Sequence, residues 1–375
     1  MTTKRPVDQL GLYGSSVSLF TVKVISYLTF KGLPFELIRV TDEIAETVIK
    51  PVTGGWRVVP VLQTSAQRVI QDSSVIIDEL ESDHQTRSIC PPGVKQKMVA
   101  ALFELLGDDW LLFPAMYYRW NFKRHNLAYI LSQFGKTRRP DLPPLIRWIW
   151  GIKNALRFGA VPRQMLGINE FNTAAWEEWT VQFLDYLEEH FERYDYLLGG
   201  RPCIGDFSIY GCINAHLAND PYPKKVLIQQ RQNVSAWLRR MSEKPDTVGD
   251  WLPEDEIPST LIPILQSQST DQLPYIYQLI SQTKVWLDQN PDISEIPRFI
   301  GKTPYEVGSS SGWRLCAPYS QWMYQRVMQP LVELEETERL SAIEWFDARA
   351  INLRLLTREH YVTFRDSKIW RSVTD

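Results

Sequence analysis

Cysteine is scarce in this chain and scattered where it occurs. Among 375 residues only Cys90, Cys203, Cys212 and Cys316 are cysteines, with no C-x-x-C pair, which argues against a disulfide framework and a thiolate metal site. Histidines are dispersed in the same way (His84, His125, His190, His216 and His360), so no metal-ligand spacing exists and no metal is expected. No run of about 18 apolar residues is present and no secretory leader is recognisable, so neither a transmembrane helix nor export is expected. An excess of one charge is missing too. With 41 Lys and Arg against 44 Asp and Glu, the net charge of −3 gives nucleic acid no overall attraction. These absences together point to a reduced, cytoplasmic setting.

What is present can build a large core. A chain of this length exceeds one typical domain, so two or three folded units are expected. The most informative stretch is Gly54 to Leu80. Val58 and Val59 run into Pro60, followed by a short strand Val61 to Gln63, a turn, a second strand Arg68 to Gln71, and Asp72-Ser73 at the head of an apolar helix. Proline cannot donate to a sheet ladder, and a cis Val59-Pro60 bond would turn the Val59 backbone outward to bind something. Asp72 and Ser73 would then form a polar pocket at a helix N-terminus, where free N–H groups attract anions. The same residues also suit an ordinary edge hairpin with a helix cap.

Upstream, Gly11 to Val24 is a short strand, a serine-rich loop and a helix start, and Gly32 to Ile38 a second strand. The order is β-α-β, a connecting helix, then β-β-α. This order resembles the thioredoxin-like N-terminal domain of the glutathione transferase superfamily. The matching residues are Ser18 and Phe20 at the first helix start, the turn Lys31 to Glu36, the Val59 to Leu62 run, and Asp72-Ser73.

Taken in order, residues 1 to 9 read as a loose lead-in and helix one should end at Gly32. Asp42 to Ile49 suits a short helix, and a helix from Ser73 to Glu81 closes the domain at residues 10–83. Pro91-Pro92-Gly93 marks a boundary, after which Val99, Leu102, Phe103, Leu106 and Trp110 fall at helical spacing. Thr173 to Tyr196 repeats the pattern with Trp176, Trp179, Phe183, Leu187 and Phe191. Leu197 to Gly211 resembles the buried helix start of the superfamily's C-terminal domain, with Asp206 retained and Cys203 in place of the usual Ser or Thr cap. An all-α unit at 92–248 follows, ending in a helix near Val234 to Met241.

The family pattern does not require the insertion 123–163. It carries nine basic residues (Lys123, Arg124, Lys136, Arg138, Arg139, Arg147, Lys153, Arg157 and Arg163) against Asp141 alone. Leu145, Trp148, Ile149, Ile152, Ala155 and Leu156 share one helical face. Such a helix either packs that face on its own domain or lies on an anionic membrane surface. Residues 249–375 are an α-rich extension of unassigned role, outside the resemblance. Its expected parts are a helix Ser259 to Leu287, a hairpin Tyr305–Val307 and Trp313–Leu315 around a loop 308–312, helices near Tyr319 to Met328 and Thr337 to Ala350, and a tail of mixed character.

The resemblance implies a serine-type, bacterial-like glutathione transferase. Its fold would be α/β plus all-α, with a thioredoxin-like domain before a helical one. Ser18 would donate a hydrogen bond to the thiol of glutathione, the co-substrate, with Ser16 and Ser15 as alternates and helix capping as the plainer role for all three. Val59 and Pro60 would hold the cysteinyl backbone, Asp72 and Ser73 the γ-glutamyl end, and Arg57 and Lys50 the glycyl carboxylate. Trp110, Tyr117 and Tyr118 would face a small hydrophobic electrophile between the domains. A homodimer is implied as well. The competing expectation is a non-catalytic glutathione-transferase-like binding or scaffold protein, associated with a membrane surface.

Overall fold

The computed structural model describes residues 9–139, 141–356 and 361–372, apart from the side chains of Arg138, Lys153, Asn154 and Arg157. Residues 1 to 8 of the lead-in and His360 lie outside it. The chain begins with β1 (Leu10–Gly14), α1 (Leu19–Lys31) and β2 (Phe35–Arg39). A helical run follows as α2 (Asp42–Ile44), a π turn Ala45–Ile49 and α3 (Lys50–Val52), three residues longer than its sequence suggests. Then come β3 (Val61–Gln63), β4 (Val69–Gln71) and α4 (Ser73–Asp83). The sheet order is β2-β1-β3-β4, with β1 parallel to β2 and antiparallel to β3. Every residue of β1 is buried, as a central strand covered on both faces must be. Gly32 ends α1 in the left-handed conformation at φ 71°, where only glycine is free of a Cβ penalty.

The helical part consists of α5 (Val94–Leu105) with a π turn Leu106–Trp110, then α6 (Leu112–Asn121), α7 (Lys123–Arg138), α8 (Pro144–Phe158), α9 (Val161–Gln164), α10 (Thr173–Arg193), α11 (Ile204–Cys212), α12 (Pro221–Pro223) and α13 (Gln232–Ser242). Asp206 is buried at the start of α11. Its carboxylate accepts the N–H groups of Cys203 at 2.9 Å and Leu197 at 3.1 Å and the indole N–H of Trp237 at 3.2 Å. It therefore compensates for the weak thiol cap. An asparagine has one acceptor oxygen in place of two and turns an amide N–H toward a donor. Asp206→Asn should destabilise the protein by about 2 kcal/mol, read from the urea midpoint.

The extension adds α14 (Ile262–Thr270), α15 (Gln272–Gln289), β5 (Glu295–Ile296), β6 (Lys302–Val307), β7 (Ser310–Leu315), α16 (Pro318–Met328), α17 (Glu336–Asp347), β8 (Val362–Arg365) and β9 (Lys368–Arg371). The expected single helix from Ser259 is broken between Thr270 and Gln272, and the expected five-residue loop is a tight turn, since Val307 pairs directly with Ser310. The mixed tail is a hairpin, β8-β9, that pairs with β5 into a second sheet. One hydrophobic core runs from Leu10 to Leu353 and takes in α14, α15, β6, α16 and α17, while Ile296, Val362 and Ile369 of the second sheet form a smaller cluster with Leu287. Most of the extension is thus packed into the same interior as the rest.

Candidate active site

β1 delivers the chain to Ser15 and α1 takes it away from Ser18, so the serine loop sits at the C-terminal end of a central strand and the N-terminal end of a helix. Ser18 is the N-cap of α1, its Oγ accepting the Thr21 N–H at 3.3 Å. That bond uses a lone pair and leaves the hydroxyl proton free to donate. Ser15 Oγ lies 3.2 Å from Thr137 Oγ1 of α7 and accepts the Val17 N–H, while Ser16 is exposed. Tyr13 points away, its hydroxyl on Gln63 at 2.9 Å.

The Val59-Pro60 bond is cis. Among the described residues no backbone hydrogen bond is made by the N–H or C=O of Val59, which lies just before β3. Asp72 holds φ 84°, ψ 136°, a region that non-glycine residues occupy only when their surroundings enforce it. The enforcing contacts are visible. One carboxylate oxygen caps α4 by accepting from Ser74 N–H at 2.9 Å and Val75 N–H at 3.3 Å, and the other accepts the Tyr319 hydroxyl at 2.8 Å. Burial raises the carboxyl above its ordinary range, against the opposing pull of Tyr319 and Lys23. Ser73 beside it is 2% exposed.

Tyr319 belongs to α16, so the extension reaches the head of α4. It also reaches the loop before β3. Ser367 Oγ donates to the Val52 carbonyl at 2.9 Å, and the Arg298 guanidinium lies 5.2 Å over the Trp56 ring. Arg57 is held by Asp42 at 2.6 Å and the Val40 carbonyl at 2.9 Å, and Lys50 by Glu46 at 2.5 Å. Each of these two cations already has a carboxylate partner. Trp110 is fully buried, packed against Phe113, Trp176, Tyr275 and Tyr305, and lines no open cleft. Tyr117 donates to Glu177 at 2.5 Å, and Tyr118 borders a groove of about 590 Å³ with Glu177, Asp185 and Tyr222.

Behind the site lies a charge cluster that no motif announces. Lys23 Nζ, 1% exposed, contacts Glu104 at 2.9 Å, Asp108 at 2.6 Å and Ser74 Oγ at 3.1 Å. Ser74 in turn donates to Glu104 at 2.6 Å, and Arg326 of α16 bridges Glu104 at 3.0 Å and Asp78 at 2.5 Å. Burial works to raise Glu104, but Arg326 and Lys23 outweigh it and hold the carboxyl down at about 2. Among the described residues Asp108 pairs with Lys23 alone, and burial pushes it up to about 6. The available signals were Lys23 between the apolar residues Val22 and Val24 of α1 and the i, i+4 pair Glu104 and Asp108.

Residues 12–88 match the family model of the glutathione S-transferase N-terminal domain. The N-terminal domain belongs to the glutathione S-transferase superfamily. No curated protein matches the chain. Among solved structures, a glutathione S-transferase from Rhodospirillum rubrum F11 is 16% identical, covering 67% of this chain and 96% of its own, with a TM-score of 0.37. A glutathione S-transferase from Methylobacterium radiotolerans in complex with glutathione sulfonate is 18% identical, covering 65% and 99%, with a TM-score of 0.38. A β-etherase from Sphingobium is 18% identical, covering 63% and 96%, with a TM-score of 0.39. The glutathione S-transferase domain here thus contains Ser18, Val59, Asp72 and Ser73, and the extension lies against it at Asp72.

Proposed function

We propose that the chain is a cytoplasmic glutathione transferase in which Ser18 activates the thiol of glutathione for attack on a small hydrophobic electrophile. The observation that carries this reading is the hydrogen-bonding capacity left unspent among the described residues on one edge of the domain: the Ser18 hydroxyl proton and both backbone groups of Val59. Val59 would pair with the cysteinyl backbone, next to Pro60, and Asp72 and Ser73 would take the γ-glutamyl end. Arg57 or Lys50 would leave its carboxylate partner to meet the glycyl end, and Tyr117 and Tyr118 would contribute aromatic surface to the electrophile. A homodimer belongs to the same proposal. The thiol proton passes to solvent, Ser18 donates to the sulfur anion, and the sulfur forms a bond to the electrophilic carbon as that carbon's leaving group departs or its π electrons shift.

A hydrogen bond to a charged group contributes roughly 1.5–3 kcal/mol, so Ser18→Ala should raise the thiol pKa of the bound glutathione by about one to two units. Conjugation near neutral pH should drop about tenfold and partly recover as pH rises. The readout is thiolate ultraviolet absorbance of the complex against pH, with Ser15→Ala and Ser16→Ala as controls. A wild-type complex whose thiol titrates like free glutathione would remove the catalytic reading. The engagement of Asp72 by Tyr319 and the burial of Ser73 favour a second reading, a binding or scaffold protein that uses the fold without the transfer reaction.

A further inference from the structure

The insertion does not bury the apolar face that its sequence marks out. α7 and α8 form an antiparallel hairpin, and at its close approach to α7 the helix α8 presents the small residues Gly151 and Ala155, between Arg147 and Phe158. A side chain at Gly151 would collide with the Leu131 carbonyl oxygen, and one at Gly135 with the Arg147 carbonyl oxygen. Ala155 is buried on the same side, in a small cluster with Trp120, Ile130 and Leu131. Close backbone approach therefore fixes the rotation of α8. The residues at i, i+4, i+7 and i+11 are turned outward: Leu145 is 74% exposed, Ile149 59%, Ile152 37% and Leu156 75%. Trp148 widens this stripe, and Ile146 and Trp150 are exposed beside it. The expectation that this face packs on its own domain is corrected by the glycine contacts.

An exposed apolar stripe of this size marks an interaction surface. We propose that α8 is an in-plane membrane anchor that docks the protein on an anionic lipid bilayer. Charge selects the occupant. The insertion carries nine basic residues against one acid, whereas the rest of the chain carries 32 basic and 43 acidic residues. The one acid, Asp141, is already engaged by Arg139 through three contacts of 2.9–3.2 Å, so it offsets none of the other cations. Lys123, Arg124 and Lys136 are exposed on α7. A second copy of the chain would set two such basic surfaces face to face. An anionic headgroup layer attracts them, each cation near the surface contributing about 1 kcal/mol. Exposed tryptophans among leucine and isoleucine suit the boundary between headgroups and acyl chains. The helix lies in that boundary without crossing, because 15 residues span only about 22 Å against a hydrocarbon core of about 30 Å. Among the described residues no helix is long and apolar enough to cross a membrane.

The test is co-sedimentation of the full chain with vesicles of phosphatidylcholine alone and with vesicles in which part of it is replaced by phosphatidylserine. The wild type should bind the phosphatidylserine vesicles at least about tenfold more tightly, and high salt should abolish the difference. Leu145→Asp/Ile149→Asp/Leu156→Asp alters only exposed positions, so it should keep its circular dichroism and unfolding midpoint while losing at least about tenfold in binding to the same vesicles. Lys123→Glu/Lys136→Glu, also at exposed positions, should weaken binding without touching the stripe. No binding to phosphatidylserine vesicles, or equal binding by the triple variant, overturns the proposal. So does a wild-type dimer in sedimentation velocity that the triple variant dissolves, since the stripe would then belong to a second copy.

Discussion

Lys23→Met should cost the folded protein about 1–2 kcal/mol at neutral pH, less than the usual penalty of about 3–5 kcal/mol for a buried carboxylate without its cation, because Asp108 takes up a proton instead. The methionine fills the space of the aliphatic stem, so the loss is electrostatic and not a cavity effect. Glu104 keeps Arg326 at 3.0 Å, and the damage therefore falls on Asp108, whose only ion pair among the described residues is with Lys23 at 2.6 Å. Protonation of Asp108 sets the ceiling. Holding an aspartate of ordinary pKa protonated at neutral pH costs about 4 kcal/mol, of which the wild type, with Asp108 at about 6, already bears about 3 kcal/mol, so the variant loses about 1.5 kcal/mol more at neutral pH and almost nothing near pH 5. The sign follows directly. Burial already pushes Asp108 up to about 6 in the wild type, so its contribution is fully present below about pH 4 and is lost as pH rises through 6. Removing Lys23 pushes the carboxyl higher and extends that loss to neutral pH. Urea unfolding from about pH 4 to 7 should show the gap between wild type and Lys23→Met widening with pH, and Lys23→Met/Asp108→Asn should recover most of it. A gap that stays constant with pH would rule out this account.

The same cluster shows why some of the molecule is legible in its sequence and some is not. Gly32, the Val59-Pro60 bond, the cap of Asp72 on Ser74 and Val75 and the bond of Asp206 to Cys203 act within a few residues, so local spacing reveals them. Lys23 meets Glu104 and Asp108 across 81 and 85 positions, and nothing local says which acid that lysine will find. Periodicity grouped Leu145, Ile149, Ile152 and Leu156 on one face of α8 but placed Ala155, which is buried against α7, with them, and it did not show which side the protein keeps. That choice is set by Gly135 and Gly151, whose meaning depends on the pairing of α7 with α8. Trp110 has helical spacing suited to a cleft wall or to a core. Tyr275 and Tyr305, from the extension, decide for the core. The tail beyond residue 361 reads as irregular because each strand is four residues long, and its pairing with β5 comes from distant sequence.

The longest-range contact at the site is also its most testable. Tyr319 and Asp72 are 247 positions apart, and the hydroxyl occupies the carboxylate oxygen that α4 does not use. In the proposed transferase that oxygen is where the γ-glutamyl ammonium would go. The extension then acts as a competitor: glutathione binds only in the fraction of molecules in which Tyr319 has given way. Tyr319→Phe keeps the ring, with its packing against Trp322 and Phe364, and removes the donor. The deprived carboxylate lacks its outer partner, and an arriving ammonium regains about 1.5–3 kcal/mol that the wild type had already assigned to the phenol. Glutathione should bind Tyr319→Phe at least about tenfold more tightly than wild type in isothermal titration. Ser18→Ala added to it should leave that affinity nearly unchanged, because Ser18 acts on the thiol and not on the γ-glutamyl end. Weaker binding by Tyr319→Phe would instead make the phenol a group that orients Asp72 for the ligand. If neither protein binds glutathione, the scaffold reading stands, and the contact between α16 and α4 is a structural joint between the extension and the glutathione S-transferase domain.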